Sequence, residues 1–99
     1  MKEFKLKGYG SSERIVIDLE EPVKINFLKQ VEDIIMSSPD VNILYGCDYE
    51  TESDFNEMNA MLLKTFDNLK EISKERCTHL YIMPAEKGTK GRVYIEGQR

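Results

Sequence analysis

No apolar run in these 99 residues approaches the ~20 that a helical membrane span needs. The opening Met1-Lys2-Glu3-Phe4-Lys5 is charged where a secretory leader carries its apolar region, so a cytoplasmic protein with no membrane partner is expected. Cysteine is scarce. Cys47 and Cys77 are far apart and form no Cys-x-x-Cys pattern, which argues against a disulfide scaffold and favours buried thiols. Internal repeats, low-complexity tracts and long linkers are absent too. With 40% apolar and 32% charged residues, residues 1–99 read as a single domain, large enough for one core.

What is present is a segregated charge. The net charge of −4 resolves into +2 over residues 1–17, −9 over 18–75 and +3 over 76–99. Such asymmetry bears on fields and partners and says nothing about fold.

The fold expectation is organised around residues 53–76. At about 100° per residue, Phe55, Met58, Met61, Leu62, Phe66, Leu69 and Ile72 fall within an arc of roughly 140°, which predicts a long amphipathic helix. Thr51 or Ser53 can cap it, and Asp54, Asn56 and Glu57 place acceptors or negative charge in its first turn. A second helix is predicted from Pro22 to about Ser37. Val23, Phe27, Leu28, Val31, Ile34 and Ile35 would share its apolar face, and Ser37-Ser38-Pro39-Asp40 would stop it.

Around these helices, residues 2–7 and 14–19 alternate as strands. They flank Gly8-Tyr9-Gly10-Ser11-Ser12 and are expected to pair as a hairpin. Residues 41–45 read as a short inner strand, apolar on both faces. Residues 78–83 and 92–96 read as a second hairpin across the loop 85–91. The order is then ββαβαββ, an α+β two-layer sandwich with a five-stranded mixed sheet and both helices on one face.

Four groups of residues are candidates for function. If Leu80, Ile82, Val93 and Ile95 face the helices, then Cys77, His79, Tyr81, Met83, Arg92, Tyr94 and Glu96 point away, joined by Lys5, Lys7, Arg14 and Val16. Such a face suits protein contact or base stacking, although plain cross-strand tyrosine pairing also accounts for it and no RNP-like motif is present. The acidic run Asp48, Glu50, Glu52, Asp54 and Glu57 contains no base. It fails as a calcium loop, because Ser53 stands where that loop needs glycine and Asn59 where it needs glutamate. Helix N-terminal electrostatics explains part of the run; the remainder would dock on a basic partner, such as a nucleic-acid-binding protein. Cys47, Cys77 and His79 supply three of the four ligands of a zinc site, or a thiol and a base, with no identifiable completing group. Lys87 and Lys90 in Lys87-Gly88-Thr89-Lys90-Gly91 form a basic tip without the strand-loop-helix setting of a P-loop.

No catalytic constellation, metal set or cofactor motif emerges. The expectation is a non-enzymatic interaction or regulatory protein that engages another protein by surface complementarity, through its acidic surface or its Tyr-rich sheet face. A nucleic-acid-binding module is the alternative, and a small Cys/His enzyme ranks third. A homodimer is a separate expectation, motivated by uncovered strand edges and a semi-apolar sheet face.

Overall fold

The computed structural model of the chain describes residues 1–65 and 70–99, with the backbone alone described for 70–75. The strands are β1 (Lys2–Lys5), β2 (Ser12–Leu19), β3 (Val23–Ser37), β4 (Ile43–Cys47), β5 (Met61–Leu63), β6 (Lys70–Pro84) and β7 (Gly91–Gln98), with a 3₁₀ turn at Glu52–Asp54. No α-helix is found among the described residues, so the α+β sandwich with two helices is overturned. The structure is one seven-stranded sheet, nearly all antiparallel, in the order β2-β7-β3-β6-β4-β5, with β1 added to β3 as a parallel pair. Among the described residues no helix is long and apolar enough to cross a membrane.

The two fifteen-residue strands β3 and β6 organise this sheet. At one end, residues 23–26 of β3 lie between β1 and residues 79–82 of β6, and β4 and β5 continue beyond β6. At the other end, residues 33–37 of β3 lie between residues 70–73 of β6 and β7, and β2 continues beyond β7. Two half-sheets thus share β3 and β6. Their inner faces supply one core that includes Ile17, Leu19, Val23, Ile25, Phe27, Val31, Ile34, Met36, Ile43, Leu63, Leu80, Ile82, Val93 and Ile95. Both expected hairpins are corrected by this order, since β1 pairs with β3 and not β2, and β3 separates β6 from β7.

Irregular pairing in the middle of β3 explains why residues 22–37 mimic a helix. The β3–β6 register shifts between Asn26 and Val31 and again before Asp33. Leu28 takes a positive φ of 64°, its amide donating 2.9 Å to the Asn26 side-chain oxygen, and Leu28, Lys29 and Gln30 bulge into solvent. The buried positions therefore run 23, 25, 27, then 31, 34, 36. A strand with period two, broken by inserted residues, yields successive steps of four and three residues that imitate a helical stripe. The same irregularity turns Cys77 inward to full burial, against the expectation that it faces away.

The predicted helix over 53–76 fails for a local reason first. Asn56 Oδ1 accepts from the Met58 amide at 2.9 Å, while the Asn56 and Asn59 side-chain amides donate to carbonyls of Ser53 and Asp54. Short polar side chains here hold the backbone in turns that compete with a helix. The apolar stripe is dispersed: Phe55 is buried, Met58, Met61 and Leu62 are exposed, and Phe66 and Leu69 lie outside the described residues. From residue 70 onward the pairing of β6 with β3 overrides the local charge pattern that suggested a helix.

Candidate functional site

Three elements converge on an apolar groove of about 540 Å³. Its floor is built on the β5-β4-β6 ladder, where Leu44 lies opposite Leu62 on one side and Met83 on the other. Alternation explains the direction of these side chains, since Ile43, Leu63 and Ile82 turn inward to near-complete burial while Leu44, Leu62 and Met83 turn outward. One wall is the β2–β3 turn Glu20-Glu21-Pro22. The other is Pro84 at the end of β6 with Ala85, Lys87 and Gly88 of the β6–β7 loop, and Glu57 closes the rim. This loop is held by the Ala85 amide donating to the Asn42 carbonyl at 2.8 Å and by Thr89 bonding the Glu86 carbonyl, with Gly88 supplying a φ of 84° that its turn requires. Lys90 pairs with Glu20 at 3.6 Å, both exposed, which leaves Glu21 and Glu57 against Lys87 on the rim. Leu62 extends the apolar surface beyond the groove.

The groove thus gathers Met83, Glu57 and Lys87, one member from each of three groups that the sequence suggested separately. The remaining sheet-face candidates do not form one surface. Tyr81 shares a face of β6 with Met83 but is covered by the chain itself: Tyr49 and Phe55 pack on it with ring centroids 5.3 and 5.6 Å away, and 5.4 Å from each other. Lys24 Nζ sits 5.7 Å over the Tyr81 ring and pairs with Glu3 and Glu52. Burial pushes the Tyr81 and Tyr49 phenols above their ordinary range, and for Tyr81 Lys24 partly opposes this. Arg92 and Tyr94 belong to the other half-sheet. There Arg92 pairs with Asp18 at 3.5 Å, and the Tyr94 hydroxyl donates to Glu96 at 2.9 Å, a bond that is the main cause of the raised Tyr94 phenol.

The acidic run is similarly divided. Asp48, at a positive φ of 51°, accepts from the Thr78 and His79 amides at 3.2 and 2.8 Å and stands 3.6 Å from the His79 ring, so it ties the end of β4 to β6. Asp54 accepts from the Thr51 amide, Glu52 reaches Lys24 at 3.7 Å, Glu50 is exposed, and Glu57 alone reaches the groove. Most of these carboxylates hold a loop over Tyr81. Cys77 lies fully buried in the core and Cys47 packs against it, and among the described residues no three His, Cys, Asp or Glu side chains are grouped to hold a metal.

Sequence reasoning missed Glu20, Glu21, Pro22, Leu44, Leu62, Pro84 and Ala85. The available signal was the run 41–45, whose apolar residues on both faces imply that one face meets something other than water.

No protein-family model, curated protein or solved structure matches the chain. Function must be argued from the site alone.

Proposed function

We propose that the protein is a non-catalytic binding module whose groove receives an apolar segment, flanked by basic residues, of a protein partner. The observation that carries this is the joining of an outward apolar floor, Leu44 with Met83, to a rim on which Glu21 and Glu57 stand against Lys87 while Glu20 pairs with Lys90. A pliable thioether and a leucine suit varied aliphatic side chains, and the acidic rim gives a charged flank its direction and speeds encounter. Protein is favoured over nucleic acid because Tyr81 is stacked internally and the groove rim carries no excess of positive charge to hold phosphate. A reducing compartment such as the cytoplasm suits the unbridged Cys47 and Cys77.

Fluorescent peptides with a Leu/Met centre flanked by lysines, and the same peptides flanked by glutamates, test the proposal by anisotropy. The lysine-flanked peptides should bind in a salt-sensitive manner, Met83→Asp should abolish binding, and Glu21→Lys with Glu57→Lys should reverse the flank preference. Equal binding of both peptide sets, or binding indifferent to Met83→Asp, would overturn it. Pull-down with and without nuclease then identifies the natural partner, and capture that depends on nucleic acid would favour the alternative.

A further inference from the structure

One edge of the sheet is long and regular. β2 pairs with β7 over eight residues in unbroken register, and among the described residues it has no strand on its other side. Outside the strand ladders, the backbone bond nearest this edge is Arg99 to the Ser11 carbonyl, just before the strand begins. The other edge strands, β1 and β5, have only four and three residues. Natural edges are commonly blunted by lysine, proline, a bulge, brevity or an inward charge; β2 lacks the first four, and its one inward charge, Glu13, sits near its start and is paired within the chain to Arg99 at 3.3 Å.

The outward side chains of β2 are Ser12, Arg14, Val16 and Asp18, all exposed, with opposite charges placed symmetrically about Val16. We infer that two copies of this chain associate through antiparallel β2–β2 pairing about a two-fold axis at Val16. In that register Arg14 of each copy faces Asp18 of the other, and the two Val16 side chains meet. The charges already paired within each copy extend the pattern. Arg92 lies opposite Asp18 and Glu96 opposite Arg14, each pair at 3.5 Å, so a row crossing the dimer reads Arg92, Asp18, Arg14, Glu96 with alternating sign. Between two such rows runs an apolar one, Tyr94, Val16, Val16, Tyr94. On the inner side, half-buried Ile15 meets the partner's Ile17 and the core continues across the junction. A shift of two residues in either direction sets one of the two charges against Val16, so the pattern selects one register.

Sedimentation equilibrium of the full chain tests this with wild type, Arg14→Asp, Asp18→Arg and an equimolar mixture of the two variants. Both side chains are largely exposed, 70% for Arg14 and 86% for Asp18, so both variants should keep the wild-type far-UV circular dichroism. Wild type should show twice the 11.5 kDa mass of one chain. Each variant alone opposes like charges at both positions and should associate at least about tenfold more weakly. In the mixture, the all-acidic edge of the Arg14→Asp chain meets the all-basic edge of the Asp18→Arg chain at both positions, and dimer should return. A wild-type mass of one chain at all concentrations, variants that dimerise like wild type, or a mixture no tighter than its components would each overturn the inference.

Discussion

Replacing Gly46 by alanine should release the 48–60 loop while leaving the sheet in place. Gly46 faces Tyr81 across β4 and β6, and its missing side chain leaves a slot into which the Tyr49 ring folds. An alanine Cβ there would lie 2.7 Å from Tyr49 Cε2 and Cζ and still closer to its hydroxyl, well inside van der Waals contact. β4 is held by β5 on one side and β6 on the other, so the ring must move and not the strand. Tyr49 then loses its stacking on Phe55 and Tyr81 and its hydroxyl bond to the Asn59 carbonyl. Two aromatic contacts at ~0.5–1.5 kcal/mol each and a hydrogen bond of similar worth sum to about 1.5–4.5 kcal/mol of loop closure. At about 1.4 kcal/mol per decade, loop opening should rise by roughly one to three decades. Amide exchange reads this directly, because the Phe55 and Asn59 amides donate to Glu52 and Asn56 carbonyls within the loop. These two should lose protection while Ile25 and Leu80 in the β3–β6 ladder keep theirs. Tyr49→Ala should add nothing further in the Gly46→Ala background, since the contact is already gone. Unchanged exchange at Phe55 and Asn59, equal loss at Leu80, or additive effects of the two substitutions would refute the reasoning.

Arg99→Ala should lower stability by about 1.5–3 kcal/mol in urea titration, because the guanidinium donates to the Phe27 carbonyl at 2.8 Å and pairs with Glu13 at 3.3 Å, both side chains being mostly buried. Arg99→Lys should restore little of this, since one ammonium cannot serve both partners in that geometry. Gly97→Ala should cost roughly 1–3 kcal/mol by overpacking, as the new Cβ would lie 2.6 Å from Phe27 and 3.0 Å from Val31, both fully buried. For pH, burial raises the phenols of Tyr45, Tyr49 and Tyr81, so the unfolded chain ionises first and stability should fall as pH rises above about 10, a limb that Tyr81→Phe should flatten. Glu96, lowered by Gln98 and Tyr94, and Glu3, lowered by Asn26 and Lys24, act oppositely: their contribution is present above about pH 4 and is lost as pH falls through their depressed range, measurable as a drop in the urea midpoint.

The legible parts of this fold are the strands whose period survives intact. Val93 and Ile95 alternate cleanly with Arg92, Tyr94 and Glu96, and Ile17 and Leu19 with Val16 and Asp18, so their inward and outward faces follow from sequence alone. β3 is illegible because its bulge lies within the stretch that a periodicity count covers: Phe27 and Val31 are both inward with three outward residues between them. Pairing is illegible for a different reason. Gly8 and Gly10 do take the positive φ values that turn chemistry suggests, 77° and 90°, yet the chain they redirect joins β3 in one direction and β7 in the other. A turn fixes local direction, and which strand lies alongside depends on burial far away in sequence.

The same distinction decides which candidate residues remain available to a partner. Tyr81, on alternation alone, belongs to an open face, but Gly46 admits Tyr49, Phe55 follows, and the acidic segment 48–57 closes over the ring. Three of the five carboxylates there are then accounted for by amides and by Lys24, with Asp48 fastening β4 to β6, Asp54 fastening its own turn and Glu52 reaching Lys24. What that loop does not cover is the neighbouring outward row, Leu62, Leu44 and Met83, where exposed apolar surface meets the turn at Pro22 and the loop at Pro84. An apolar floor left open beside an aromatic cluster that the chain seals for itself is the strongest physical reason to look for the partner at Met83 and not at Tyr81.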